Sequence, residues 1–258
     1  MLTQTMMTEI EKTIEDCLLQ KFDKYNPETV NMPFHYRLLG KDRMALFSFI
    51  QSLNTTFGTS IYEPVSTVLA SLNGNFVQAQ MQYKVGKIIS EAAQIEIQNI
   101  IDELSAGNDS MKEREISRIR KVCRNGKGIE TKPVKVDLFL EDKEGVIHLF
   151  DLKTVKPNKS NFKDFKRTLL EWVAISLYNN PNAEIYSYIA IPYNPYEPKP
   201  YERWTMKGML DLSKELKVAE EFWDFLAGEN TYNELLGCFE RVGIKMRPVI
   251  DQYFKRFK

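Results

Sequence analysis

The chain has 258 residues, of which 43% are hydrophobic, with 35 Lys and Arg against 35 Asp and Glu, two His and three Cys. This apolar share supports a packed core and excludes a disordered chain, and no window approaches the roughly 18 uninterrupted apolar residues of a membrane span. Cys17, Cys123 and Cys238 lie far apart with no CxxC and no neighbouring His, which excludes a disulfide framework and a zinc knuckle.

In chain order, residues 8–21 carry Ile10, Ile14, Cys17 and Leu18 at helical spacing, and residues 42–53 repeat the signal with Met44, Leu46, Phe47 and Ile50. Ser60 and Glu63 have capping-box spacing ahead of Val65, Val68 and Leu69, so a helix is expected to begin there. A long helix is expected over 85–104, carrying Ile88, Ile89, Ala92, Ile95 and Ile100. The period then changes to two. Val134, Val136, Leu138 and Leu140 alternate with Lys135, Asp137, Phe139 and Glu141, as in a strand. Residues 146–154 read as a buried strand, and Lys143-Glu144-Gly145 between the two suits a three-residue hairpin loop. A helix over 161–178 and a strand over 184–192 follow. Helix, strand, strand, helix, strand predicts an α/β protein with a mixed central sheet flanked by helices.

Charge is balanced overall but segregated locally. Residues 112–135 hold nine basic residues against three acids, 153–167 six against one and 241–258 six against one. The counterweight is 215–240, with seven acids and one Lys. Such segregation permits a basic cleft for a polyanion on a neutral protein, although solvated helix faces would look the same.

With 143–145 as the hairpin loop, opposed residue numbers sum to 288, and Asp137 faces Asp151. Like charges directly opposite on a sheet are destabilising and call for a cation. Period two adds Lys153 to the same face. Oxygen ligands without His or Cys favour Mg²⁺ over Zn²⁺. Acid-x-Lys occurs six times in the chain, but only Asp151-Leu152-Lys153 lies on a strongly apolar strand facing a second acid. A surface hairpin with a Lys135–Asp151 ion pair is the bland alternative.

Val136-Asp137, a gap of 13 residues, then Asp151-Leu152-Lys153 and a basic helix resembles the PD-(D/E)xK nuclease core, with Val136 where the motif name has Pro. Within that superfamily the chain looks most like type II restriction endonucleases, including the TdeIII-like group. That likeness rests on Phe57-Gly58-Thr59-Ser60-Ile61-Tyr62-Glu63-Pro64 before the core and Ile189-Ala190-Ile191-Pro192-Tyr193 after it. The resemblance implies a restriction-endonuclease-like domain with an N-terminal helical part (1–57), a catalytic core (58–192) and a C-terminal helical and DNA-recognition part (193–258). It further implies Mg²⁺-dependent hydrolysis of a phosphodiester. Asp137, Asp151 and the main-chain carbonyl of Leu152 would hold the ion, and Lys153 would orient or deprotonate the attacking water. An extra acid would come from a preceding helix, with Glu63 preferred over Glu91.

Lys156, Lys159, Lys163, Lys166 and Arg167 follow the acid-x-Lys strand, the last four on one face of the expected helix, and would track phosphates. Residues 192–204 are too proline-rich for a helix or central strand. Asn194, Lys199 and Arg203 there could read bases. His35 and His148 are expected to be structural. Double-stranded DNA as partner, a homodimer matching its symmetry, and the cytoplasm as location complete the expectations. A repair or transposition nuclease and a non-catalytic nucleic-acid-binding module are the competing classes.

Overall fold

The structure, a computed structural model, describes residues 1–28, 30–153, 162–202, 206 and 208–257. Its centre is the β2–β3 hairpin, β2 (Gly128–Asp142) and β3 (Ile147–Leu152). The turn closes as expected: Asp142 N donates to the Val146 carbonyl at 3.1 Å and Gly145 N to the Asp142 carbonyl at 3.1 Å, with Gly145 at φ 80°. Only glycine takes that conformation without strain. The ladder pairs Leu138 with Phe150 and Phe139 with Leu149, so the sum of 288 holds.

From β3 the chain crosses through α7 (Phe162–Asn179) to β4 (Ile185–Ile191), which pairs parallel to β3. This is the βαβ unit, whose crossover is right-handed in nearly all proteins. The short β5 (Leu216–Val218) adds on parallel to β4. Among the described residues the sheet has five strands, with β1 (Phe76–Ser90) at one edge in the order β1-β2-β3-β4-β5, and is mixed, as expected. Its apolar residues reach both faces. Ser187 Oγ on β4 donates to the Leu169 carbonyl of α7 at 2.9 Å, while Phe150 and Tyr188 meet Phe222 and Phe225 of α8 (Glu220–Ala227) on the other face.

Two expectations are corrected. The first six residues of 85–104 are strand: β1 (Phe76–Ser90) pairs antiparallel with β2, and helix α5 (Glu91–Ser105) starts only after it. Ser90 makes the change, because its side chain accepts from Ala93 N at 3.0 Å and caps α5. Val77, Ala79, Met81, Tyr83 and Val85 alternate with Gln78, Gln80, Gln82 and Lys84, so the strand signal is present in the sequence. The second concerns Ser60, which caps nothing. Helix α3 (Lys41–Phe57) runs through a π-helical turn, Gly58–Tyr62, into α4 (Glu63–Asn73). Pro64 offers no N–H to an α-helical ladder, and the chain widens ahead of it, with Glu63 N donating to the Gly58 carbonyl. Glu63 does not reach back to close a capping box. Its carboxylate is turned toward β1.

Before α3 stand α1 (Gln4–Lys24), capped by Thr3, and the short α2 (Pro33–Leu39). Helix α6 (Lys112–Val122) lies between α5 and β2, and α9 (Thr231–Lys255) packs along α1. Phe22, Phe49, Tyr253 and Phe254 form a small aromatic cluster apart from the main core. All three cysteines are free, and no described helix is long and apolar enough to cross a membrane.

Candidate active site

At the open end of the β2–β3 ladder the backbone pairing gives way to side chains. Leu138 and Phe150 are the last ladder partners on the way to it, and the next pair in register is Asp137 and Asp151. Leu152 N donates to Asp137 Oδ2 at 2.8 Å instead of to a backbone carbonyl. The N–H and C=O of one strand residue point the same way, so the Leu152 carbonyl opens toward the same gap. Asp151 is buried, and its Oδ1 lies 2.7 Å from Lys153 Nζ. Lys153 is held from behind as well, its ammonium 5.0 Å above the centre of the Phe165 ring on α7.

Glu63, at the start of α4, is only 2% exposed and joins this group. Gln82 Nε2 on β1 donates to Glu63 Oε2 at 2.8 Å and to Asp137 Oδ1 at 3.4 Å. Four elements, α4, β1, β2 and β3, thus bring Glu63, Gln82, Asp137, Asp151 and Lys153 to one place. Glu91 does not belong to it. Its N–H bonds to the Lys127 carbonyl, at the far end of β2 and about 30 Å of strand away from Asp137.

The electrostatics are those of a site short of positive charge. Burial and the neighbouring Asp151 charge push the Asp137 carboxyl up to about 7, against the bond from Leu152 N, which pulls it down. Burial likewise raises Glu63, partly offset by its bond from Gln82. No three His, Cys, Asp or Glu side chains among the described residues form a closed ligand set. The donor set that exists, two facing carboxylates, a carbonyl and a third acid, is hard oxygen and suits Mg²⁺ completed by water or phosphate oxygens.

The expected basic stripe divides. Lys163 is exposed, and Arg167 is half-buried with Nη2 2.6 Å from Gln98 Oε1. Lys166 is a correction, because it is fully buried and cannot touch DNA. Its Nζ contacts Glu215 at 2.7 Å, Glu115 at 2.5 Å and Ser110 Oγ at 3.0 Å, while Lys112 Nζ meets Glu215 at 2.7 Å and Ser187 Oγ at 2.7 Å. The basic stretch and the acidic stretch of the sequence therefore partly neutralise each other inside the protein. Asn194 is also committed to its own loop, donating to the Lys199 carbonyl at 2.7 Å and accepting from Tyr196 N at 2.9 Å. Lys199 is exposed, whereas Lys156, Lys159 and Arg203 lie outside the described residues. His148 is structural, between Asp142 and the Tyr188 hydroxyl.

Gln82 and Lys84 escaped the sequence reading, and Lys135 was weighed there only as a partner for Asp151. Gln82 could be found only once β1 was recognised as the neighbour of β2. Lys84 and Lys135 pair directly across β1 and β2, two places along from Gln82 and Asp137, and both are exposed.

Comparison with known proteins finds a matching family and several relatives. The family described as "Type II restriction endonuclease, HinfI" matches residues 2–243. The type II restriction enzyme MjaII of Methanocaldococcus jannaschii is 28% identical over 255 residues, covering 87% of this chain and 67% of that protein. HgiCII and HgiEI, type II restriction enzymes of Herpetosiphon aurantiacus, are 27% and 26% identical, covering 85% and 90% of this chain and 80% and 86% of theirs. The chain belongs to the HinfI family of type II restriction endonucleases, and its activity is that of a site-specific endonuclease.

Proposed function

We propose that this enzyme cuts double-stranded DNA by Mg²⁺-dependent hydrolysis in a PD-(D/E)xK site made of Asp137, Asp151, the Leu152 carbonyl, Lys153 and Glu63. The observation that carries the proposal is the facing of Asp137 and Asp151 where the hairpin ladder opens, with Lys153 on Asp151. Enzymes of this family generally depend on a divalent metal. Asp137, Asp151 and the Leu152 carbonyl would hold the ion. Bound there, it would supply charge stabilisation for the phosphate and acidify a water. Lys153, paired with Asp151, would donate a hydrogen bond to the attacking water and orient it. Phe165 beneath it keeps the ammonium at the edge of the cleft, and Glu63 accepts a hydrogen bond from water on the far side.

Phosphate contacts fall to the exposed Lys163 and to Lys84 and Lys135. Two lysines directly opposite repel each other, and a phosphate between them relieves that cost. One site per chain cuts one strand, so a double-strand cut at a symmetric sequence calls for a homodimer. The helical part before Gly58 offers the surface for it: Phe34 and Leu38 are 85% and 83% exposed, and Leu46, Phe47 and Ile50 lie bare on α3. Digestion of a plasmid of known sequence with Mg²⁺, followed by sequencing of the ends, tests the activity. Defined double-strand ends at one repeated sequence are expected. Random nicking, or the same cutting in EDTA, would refute the proposal.

The raised Asp137 carboxyl has a pH consequence. A proton bound there up to about pH 7 must leave before the carboxylate can hold a cation. Apparent Ca²⁺ affinity is therefore expected to climb about tenfold per pH unit below 7 and to level off above it. Titration calorimetry at pH 6, 7 and 8 measures this, and a flat profile would contradict the assignment of Asp137.

A further inference from the structure

Gln82 combines two observations that nothing in the proposed metal chemistry uses. Its backbone has φ 51°, the left-handed region, although it is neither glycine nor part of a turn and its neighbours Met81 and Tyr83 stay in register with Leu138 and Val136. A β-strand has no need of this conformation, and it costs energy to hold. The side chain it carries sends one amide nitrogen to two carboxylates, Glu63 Oε2 at 2.8 Å and Asp137 Oδ1 at 3.4 Å. Both acids are raised by burial, and Glu63 adds to the repulsion on Asp137.

An amide is the side chain suited to this task. It donates to both oxygens without bringing a charge that would compete with a cation, as a lysine would, and without adding to the repulsion, as an acid would. Other donors also reach the group, since Leu152 N holds Asp137 and Lys153 holds Asp151. Glu63 accepts from Gln82, and Gln82 is what ties the acid of α4 to the acid of β2.

We propose that Gln82 is a positioning residue of the active site, whose strained backbone aims its carboxamide so that Glu63 and Asp137 are preset as a pair for the divalent ion. This rests on the metal-site reading above. Residues that orient ligands without touching the ion commonly contribute about 10–100-fold in affinity or activity.

The test is Ca²⁺ binding by calorimetry in the absence of DNA, together with cleavage in Mg²⁺, for Gln82→Ala, Gln82→Gly, Glu63→Gln and Gln82→Ala/Glu63→Gln, with Asp137→Ala as control. Gln82→Gly suits the positive φ, so it reports the loss of the amide even where alanine disturbs the strand. Both Gln82 variants are expected to bind Ca²⁺ at least tenfold more weakly and to lose kcat, while DNA affinity in EDTA stays unchanged. The double variant is expected to lose less than the sum of the two single losses, because Gln82 acts in part through Glu63. Unchanged Ca²⁺ affinity in Gln82→Gly, or losses that simply add in the double variant, would overturn the proposal. If Asp137→Ala binds Ca²⁺ like the parent, the metal site itself is wrong. If Asp137→Ala fails to bind and Gln82→Gly binds normally, only the role of Gln82 falls.

Discussion

Asp151→Asn is expected to lower Mg²⁺-supported cleavage by three orders of magnitude or more, and Asp137→Asn by as much. A bound ion is worth several kcal/mol of transition-state stabilisation, and each ~1.4 kcal/mol is a factor of ten in rate. Loss of activity should not come with loss of fold. In Asp137→Asn the side-chain oxygen can still accept from Leu152 N, and the repulsion with Asp151 and Glu63 disappears. The variant is therefore expected to melt at or above the parent temperature in EDTA, an inverse relation between stability and activity that marks a site built for function. Cleavage assays with thermal melts on the same preparations measure both. Near-parental cleavage by Asp151→Asn would sink the assignment.

Glu215→Ala is expected to destabilise the protein by about 3–5 kcal/mol, because it strands the buried Lys112 ammonium and leaves Lys166 with Glu115 alone. At about 2–4 °C per kcal/mol for a chain near this size, the melting temperature should fall by roughly 10 °C. Burial alone would raise the Glu215 carboxyl, but Lys112 and Lys166 outweigh it and hold the group below its ordinary range. A depressed carboxylate contributes stability above its unfolded pKa and loses it as the pH falls through the folded value. The gap between parent and Glu215→Ala is therefore expected to be full at neutral pH and to narrow in acid. Lys166→Ala belongs to the same experiment: it should cost stability and leave the salt dependence of DNA binding unchanged. Lys163→Ala should do the reverse, reducing the slope of log affinity against log salt by about 0.9. A Lys166→Ala protein of normal stability with a reduced slope would return Lys166 to the DNA surface.

The hairpin was the most legible part of the sequence because two independent local signals agreed there. Alternation set which face Asp137 and Asp151 share, and a glycine turn at Gly145 set the register that makes them partners. Helix α7 and strand β4 were equally clear from period alone. Lys166 was misread because the apolar face of α7 is wider than its pattern suggests. A lysine next to Phe165 has the same spacing as a solvent-facing one, and only the fold brings Glu215, 49 residues on, to its end. Ser60 and Glu63 matched a capping box by spacing, yet a cap requires the chain to turn, and here it continues as helix. Strand β1 was overlooked although its alternation is regular, since Ile88 and Ile89 extended the helical pattern of α5 backward across Ser90. With β1 went Gln82, whose role depends on a partner 55 residues away. The resemblance reached type II restriction endonucleases, while the subgroup, that of HinfI, came from the comparison of whole chains.

The π-helical turn at Gly58–Tyr62 also joins α3 and α4 with no loop between them. Glu63 sits partway along it, and the bare face at Leu46 and Phe47 lies about 24 Å toward its other end. A loop at that point would absorb a push on α3. In the dimer proposed above, a second subunit seated on Phe47 would therefore touch the same run of helix that carries Glu63, so assembly and the aim of that acid would be linked.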